Sequence, residues 1–177
     1  MSAIDRLLEN VPIPRLARIR QIFERPKVEH IDADLAASLR QGRIVSLVRP
    51  GQRIALAVGS RGISNLPLMV KTLIDAFRAA GAKPFVFPAM GSHGGATAEG
   101  QLDMLRGLGI TEEHIGAPIR ATMDVVQVGT TPKGLPAYVD RFAAEADGIV
   151  IINRIKPHVA FRGPYESGLM KMIAIKR

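Results

Sequence analysis

Short apolar runs alternate with segments of helical periodicity along most of this chain. Over residues 66–77, apolar side chains recur at three- and four-residue spacing, which is typical of an amphipathic helix, and Gly81 ends that pattern. Strands joined by helical crossovers pair in parallel, because a parallel connection needs a long crossover. The pattern predicts an α/β fold of three layers, a mainly parallel sheet with helices on both faces, and strands near residues 53–58, 83–88, 124–128 and 149–153.

The segments outside these strands predict where helices begin and end. Residues 1–30 contain three prolines and are predicted to be irregular, apart from one short helical turn within residues 16–23. A single α/β domain is therefore expected over residues 31–177. The first predicted helix starts at Asp32 or Asp34 and runs to about Val48. A later helix is predicted to start after Thr97 and to carry Leu102, Leu105 and Leu108. Another is predicted from Pro136 through Ala146.

Polar clusters follow three of the apolar runs, each at the point where a predicted strand ends. They are residues 59–62 (Gly-Ser-Arg-Gly), residues 91–97 (Gly-Ser-His-Gly-Gly-Ala-Thr), and residues 156–158 (Lys-Pro-His) with the later run 167–171 (Ser-Gly-Leu-Met-Lys). In open α/β sheets, ligands bind beyond the carboxyl ends of the strands. The sequence therefore predicts that Arg61, His93, His158 and Lys171 converge on one site.

Two of these clusters have the chemistry to bind an anion. The glycines around His93 precede a predicted helix start, where backbone N–H groups and the helix dipole favour negative charge, and a histidine can give or take a proton near neutral pH. Arg61 offers a planar guanidinium for a carboxylate or phosphate. A tight turn in which His93 bonds to backbone, and a surface arginine in a loop, are equally consistent with these residues alone.

The last cluster adds a second histidine and a lysine. Pro157 fixes the approach of His158 to the end of its strand. Lys171 lies in an apolar run, where partial burial would lower its pKa and make it a nucleophile toward carbonyl groups. A lysine whose amine reaches solvent from the side of an amphipathic helix fits the same pattern. His30 and His114 are interpreted as structural or solvated.

Composition and charge exclude several classes of protein. The 177 residues include no cysteine, which excludes disulfides and thiolate metal sites, and no apolar stretch approaches the roughly 20 residues of a membrane-spanning helix. The first residues lack the pattern of a signal peptide, so a cytoplasmic protein is expected. The net charge of +8 permits nucleic-acid binding, but its cations are dispersed and no recognised nucleic-acid motif is present. Neither a nucleic-acid nor a membrane partner is predicted.

Taken together, the motifs resemble the nickel-pincer lactate racemase family, and its branch of uncharacterised homologues in particular. The resemblance rests on Gly-Ser-Arg-Gly-Ile, on Met-Gly-Ser-His-Gly-Gly-Ala-Thr-Ala-Glu-Gly, and on Ile-Lys-Pro-His followed by Glu-Ser-Gly-Leu-Met-Lys-Met. Order and spacing are kept over most of residues 45–175. The run before Lys171 departs from the family's usual Ser-Gly-Gly-Arg-Lys.

The resemblance implies a racemase or epimerase that acts on a 2-hydroxy acid with a nickel-pincer nucleotide cofactor. By motif, Lys171 matches the residue that carries the cofactor, His93 and His158 match the acid/base pair, and Arg61, with Ser60 beside it, matches the residue near the substrate carboxylate. One histidine would remove the hydroxyl proton as hydride leaves the α-carbon, and the other would serve the opposite enantiomer. No protein ligand to the metal is assigned within this chain.

The family's members also have a second domain, which contributes a nickel-ligating histidine downstream of the lysine. This chain ends six residues after Lys171, so the resemblance implies an N-terminal domain that needs a missing C-terminal domain for full activity. Whether the cofactor is loaded and which oligomeric state the protein adopts are left open by the resemblance. A non-catalytic domain that binds a small carboxylate or phosphorylated ligand is the alternative. A nucleic-acid-binding module, favoured by net charge alone, would show steep salt dependence.

Overall fold

The computed structural model describes residues 3–12, 15–24, 26–60, 62–154, 160, 162–164 and 166. The helices are α1 (Ala3–Leu8), α2 (Ile31–Gln41), α3 (Leu66–Ala79), α4 (Ala98–Gly107), α5 (Glu112–Ile115) and α6 (Arg141–Ala144), with 3₁₀ turns at Val45–Leu47 and Gly94–Ala96. The strands are β1 (Arg53–Val58), β2 (Lys83–Pro88), β3 (Val125–Thr130), β4 (Pro136–Asp140) and β5 (Gly148–Ile152).

A parallel sheet of three strands, in the order β2-β1-β5, forms the centre of the described chain and confirms the predicted α/β class. Its register aligns Val58 with both Pro88 and Ile152, so the three strands end level with one another. The central strand β1 is buried from Ile54 to Val58 because both its edges are hydrogen-bonded and both its faces are covered. The bounds of β1 and β2 are those that the apolar runs predict.

Alternate residues of the sheet face two separate layers. Leu56, Val58 and Val86 pack in a large aliphatic core with residues of α2 to α5, among them the fully buried Phe77 and Leu105. On the other face, Ala55, Ala57, Phe85 and Phe87 pack against Ala143 of α6 and Val139 of β4. The second layer is therefore built by a short helix together with a hairpin strand, rather than by helices alone.

The prediction that the strand near residues 124–128 joins the parallel sheet is wrong. Strand β3 pairs antiparallel with β4 and forms a separate hairpin in the described chain, rather than joining the parallel sheet. The predicted helix from Pro136 through Ala146 is also wrong, because residues 136–140 form β4. A hydrogen bond from the Thr131 N–H to the Leu135 carbonyl, at 2.7 Å, closes the turn between the two strands. The helix begins later, after Asp140, which caps α6.

Other boundaries also differ from the sequence prediction. Helix α2 ends at Gln41 rather than near Val48, and a 3₁₀ turn follows it. Its cap position is His30, which makes no side-chain capping bond, while Asp32 and Asp34 lie in the first turn. The short helix near the start of the chain is α1, and the described residues from 15 to 24 are not helical. Thr97 does cap α4, since its Oγ1 accepts from the Gly100 N–H at 3.1 Å.

The outer edge of β2 is covered by the segment around Ile119. The Val86 N–H donates to the Pro118 carbonyl and the Arg120 N–H donates to the Val86 carbonyl, both at 2.9 Å. The Arg120 guanidinium then lies over the rings of Phe85 and Phe142, at 5.3 and 5.6 Å from their centroids. These contacts close an edge that would otherwise be open to pairing with another strand. No helix in the described part of the chain is long and apolar enough to cross a membrane.

Removal of a buried side chain from β1 should destabilise the whole domain. Leu56 is fully buried between the sheet and the helical layer, so Leu56→Ala should lower the free energy of unfolding by about 2–5 kcal/mol. Urea denaturation followed by circular dichroism measures this change. The control is Leu47→Ala, at a side chain that is 78% exposed, which should change stability little. Equal effects of the two substitutions would contradict the assigned core.

Candidate active site

The parallel pairing of β1, β2 and β5 brings the loops that follow these strands to the same edge of the sheet. The pairing continues beyond the strand ends, where the Ala89 N–H donates to the Val58 carbonyl at 2.8 Å. The described residues of two polar clusters singled out from the sequence, in the loops after β1 and β2, therefore lie next to each other. This edge is the place where an open α/β sheet binds its ligands.

Ser60 and His93 are in direct contact at this edge. A hydrogen bond joins the Ser60 Oγ to the His93 Nδ1, across 33 positions of sequence. Ser60 is half-buried at the end of β1, and His93 is exposed. Because Nδ1 is engaged, the Nε2 atom is the ring nitrogen left for a ligand, and the serine holds the orientation of the ring.

The loop that carries His93 packs tightly against the first turn of α4. Gly94 has φ of +65°, and a Cβ on it would lie 2.5 Å from the Gly100 carbonyl carbon, so no larger residue fits without displacing the backbone. The Thr97 side chain donates to the Gly94 carbonyl at 3.1 Å while it caps the helix. Gly94 is thus required for close backbone approach as well as for its positive φ.

Gln101 fastens the same loop from the inside of the protein. Its Nε2 donates to the Gly91 carbonyl at 2.8 Å and to the His93 carbonyl at 3.4 Å, and the residue is only 4% exposed. The sequence prediction missed this residue. A signal was available, because Gln101 precedes Leu105 and Leu108 by four and seven positions, so a polar side chain interrupts the apolar face of α4.

Arg154 is a second residue that the sequence prediction missed. It lies two residues after β5 and donates through Nη1 to the Gly62 carbonyl at 3.2 Å, so the loop after β5 contacts the loop after β1. Its position after β5 matches that of Ser60 after β1. The sequence therefore contained a signal, because Arg154 is a cation two residues after an apolar run.

A cavity of about 460 Å³ lies beside the His93 loop, toward the hairpin. Its volume is within the range of about 300–1,000 Å³ that is usual for small-molecule sites. Gly91 and Gln101 belong both to this cavity and to the support of His93. The described residues that line it are Pro88, Gly91, Gln101, Thr122, Met123, Asp124, Val125, Tyr138 and Asp140.

Three of the predicted site residues lie outside the described residues, namely Arg61, His158 and Lys171. Of the predicted set, the structure brings together Ser60 and His93. His30 is exposed at the cap position of α2, and His114 is exposed within α5. Within the described ranges, there is no group of three or more histidine, cysteine, aspartate or glutamate side chains that could hold a metal ion.

One family model matches the chain, and it covers both of the loops that meet at this edge. The model is that of the lactate racemase N-terminal domain, and the match extends over residues 11–170. No curated protein matches the chain.

Replacement of the Gln101 amide should loosen the His93 loop without unfolding the domain. Gln101→Leu removes both donors while keeping an apolar stem, so the backbone amides of residues 91–97 should exchange with solvent roughly tenfold faster. Hydrogen–deuterium exchange read by NMR measures this. Gln127→Leu on the hairpin, where the amide contacts Gly129 and Thr130, is the control and should leave that loop unchanged. Unaltered exchange in Gln101→Leu would show that other contacts hold the loop.

Proposed function

The chain belongs to the lactate racemase N-terminal domain family, and we propose that it carries the acid/base groups of a site that racemises or epimerises a 2-hydroxy acid. The observation that supports the proposal most directly is the hydrogen bond between Ser60 and His93 at the carboxyl edge of the parallel sheet. Inversion of a 2-hydroxy acid through a keto acid requires a group that takes the hydroxyl proton and returns it. A histidine held in one orientation at the ligand-binding edge is suited to that task.

His93 would exchange the proton through Nε2, because Nδ1 is bonded to Ser60. With Nδ1–H donating to the serine oxygen, the Nε2 lone pair can accept the substrate's hydroxyl proton. The same Nδ1–H bond is kept when the ring becomes an imidazolium, and Nε2–H can then give the proton back. Ser60 thereby keeps the reactive nitrogen the same in both protonation states, which a reversible reaction requires.

The rigidity of the loop would reduce the cost of reaching the reactive geometry. Gln101 fixes the His93 carbonyl, and the contact of Gly94 with Gly100 fixes the turn that follows. When the backbone that carries the base is already ordered, the free-energy cost of aligning the base with the substrate is smaller. Gln101 is therefore assigned as a positioning residue, which acts on the substrate through His93.

Two enantiomers present their hydroxyl groups on opposite sides, so one base does not serve both. By family resemblance, His158 is proposed as the second acid/base residue and Arg61 as the group that binds the substrate carboxylate, with Ser60 beside it. A guanidinium suits a carboxylate because its planar N–H groups match the two oxygens. Both residues follow apolar runs in the sequence, as His93 does.

The described residues are compatible with a nickel-pincer cofactor that is attached elsewhere. A Cβ on Gly91 or Gly95 would have no neighbour within 4 Å, so a flat ring has room to approach the backbone beside His93. The described side chains include no metal-ligand cluster, and they are assigned to the substrate rather than to the metal. Lys171 is the proposed attachment residue. When bound, the cofactor would supply an acceptor for the α-carbon's hydride.

The acid/base role of His93 can be tested with cofactor-loaded protein that also carries the second domain implied by the family resemblance. His93→Ala should lower the rate of racemisation by about 10²- to 10⁴-fold, measured by chiral chromatography of a 2-hydroxy acid. Ser60→Ala should lower the rate less, and Ser60→Thr should restore most of it because the hydroxyl is retained. His114→Ala removes an exposed histidine on α5 and serves as the matched control. An undiminished rate in His93→Ala would rule out the assignment.

Attachment at Lys171 has a readout that does not require activity. After incubation with mature cofactor, intact-mass measurement should show an adduct on the protein, and the adduct should be lost in Lys171→Ala. Lys176→Ala is the control, since it removes a nearby lysine with no proposed role. An adduct that persists in Lys171→Ala, or a folded protein that never acquires one, would contradict this part of the proposal.

A further inference from the structure

The chain before α2 contains an exposed apolar segment, residues 15–24, which we call the N-terminal arm. All of its side chains are exposed, and none of its residues belongs to a helix or a strand. Four of its large apolar side chains are between 57% and 93% exposed, namely Leu16, Ile19, Ile22 and Phe23. Apolar side chains exposed close together are typical of a surface that another protein covers.

The apolar residues of the arm have helical spacing, although the arm itself is not helical. Leu16, Ile19 and Phe23 recur at three- and four-residue spacing, so a helix would bring them to one face. The same helix would place Gln21 on the opposite face. An isolated helix shorter than about 12–15 residues is marginal in water. The arm is shorter than this, so it needs a partner surface before it folds as a helix.

The β3–β4 hairpin presents a second apolar surface. Every residue of β3 is exposed, and among the described strands β3 pairs only with β4. Val126, Val128 and Leu135 are between 40% and 64% exposed, and they are not among the described residues that line the cavity. A two-stranded hairpin is marginal in water unless a further strand or a helix packs on it. A helix formed by the arm, about 15 Å long, matches the roughly 20 Å length of β3.

Charge complementarity favours the hairpin as the surface that the arm covers. The arm carries three arginines and one glutamate. Residues 124–147, which include the hairpin and α6, carry four acidic and two basic residues in a chain whose net charge is +8. A different exposed apolar pair, Ile44 and Leu47, is flanked by Arg43 and Arg49, which would repel the arm.

We propose that the chain forms a dimer by exchange of N-terminal arms, in which each arm folds as an amphipathic helix on the β3–β4 hairpin of a second copy. Within one copy, the arm and the hairpin are both exposed and do not cover each other. In a two-fold dimer each copy gives one arm and receives one, so both apolar surfaces are covered and the assembly is closed. This inference does not depend on the reaction proposed for His93.

Sedimentation velocity of the full chain tests the dimer and the face of the arm that forms it. The native chain should sediment as a dimer at micromolar concentration. Ile19→Asp should raise the dimer dissociation constant roughly tenfold or more, because a charge replaces a buried apolar side chain. Gln21→Asp adds the same charge to the opposite face and should change it less than about threefold. A monomeric native chain, or equal effects of the two substitutions, would overturn the proposal.

The hairpin side of the contact has its own matched pair of variants. Val128→Lys should raise the dissociation constant roughly tenfold or more, because the new cation is set against an apolar, cationic arm. Leu47→Lys places the same charge at another exposed apolar position and should leave the dimer unchanged. A dimer that withstands Val128→Lys, or that is weakened equally by Leu47→Lys, would show that the hairpin is not the docking surface.

A mixture of two defective chains tests the exchange itself. The Ile19→Asp chain and the Val128→Lys chain should each be largely monomeric, and mixing them should produce a dimer. In the mixed dimer one arm and one hairpin are both native, while the other contact sets an aspartate against a lysine. An arm that covers the hairpin of its own chain gains nothing from mixing. Mixtures that remain monomeric would therefore overturn arm exchange.

Circular dichroism separates a folding defect from a loss of contact. Each substituted side chain is exposed, so thermal melting of the variant monomers should remain cooperative. The native chain should gain helical signal as its concentration rises through the dissociation constant, and the Val128→Lys chain should not. A native chain that stays monomeric and sediments with phosphatidylserine vesicles would assign the arm to a membrane surface and overturn the dimer.

Discussion

The pairing of β1 with a parallel strand on each side is the constraint on which the site depends. Parallel hydrogen bonding aligns the carboxyl ends of β1, β2 and β5, and the register places Val58 beside Pro88 and Ile152. Strands β1 and β2 are buried over five of their six residues each, so the polar loops that follow them start from a rigid base. Ser60 and His93 meet for this reason, although neither loop alone contains the information that would bring them together.

Gln101 connects the stability of the loop with the chemistry proposed at its surface. Its amide group is buried at the start of α4 and satisfies two carbonyl groups of the His93 loop, which an apolar residue would leave without donors. Gln101 also lines the cavity beside this loop. The residue that orders the proposed base is therefore also part of the cavity wall next to it.

The β3–β4 hairpin gives the domain its second layer and the far wall of the cavity. Val139 packs on the sheet with α6, while Tyr138 and Asp140, on the other side of the same strand, line the cavity. This alternation follows from the pleat of a strand, in which successive side chains point to opposite faces. Had residues 136–146 formed the predicted helix, these side chains would have been distributed around it, and the wall would not exist in this form.

The sequence by itself determined the elements whose signals are local. The apolar runs predicted the bounds of β1 and β2, and Thr97 predicted the start of α4, because burial on both faces and a side-chain cap act within a few residues. Only the tertiary structure decided the hairpin, the partner of Ser60 and the role of Gln101. Residues 141–144 favour helix locally, and the strand before them forms only because β3 supplies its hydrogen bonds. Contacts between distant segments depend on how the whole chain packs, which no short stretch of sequence specifies.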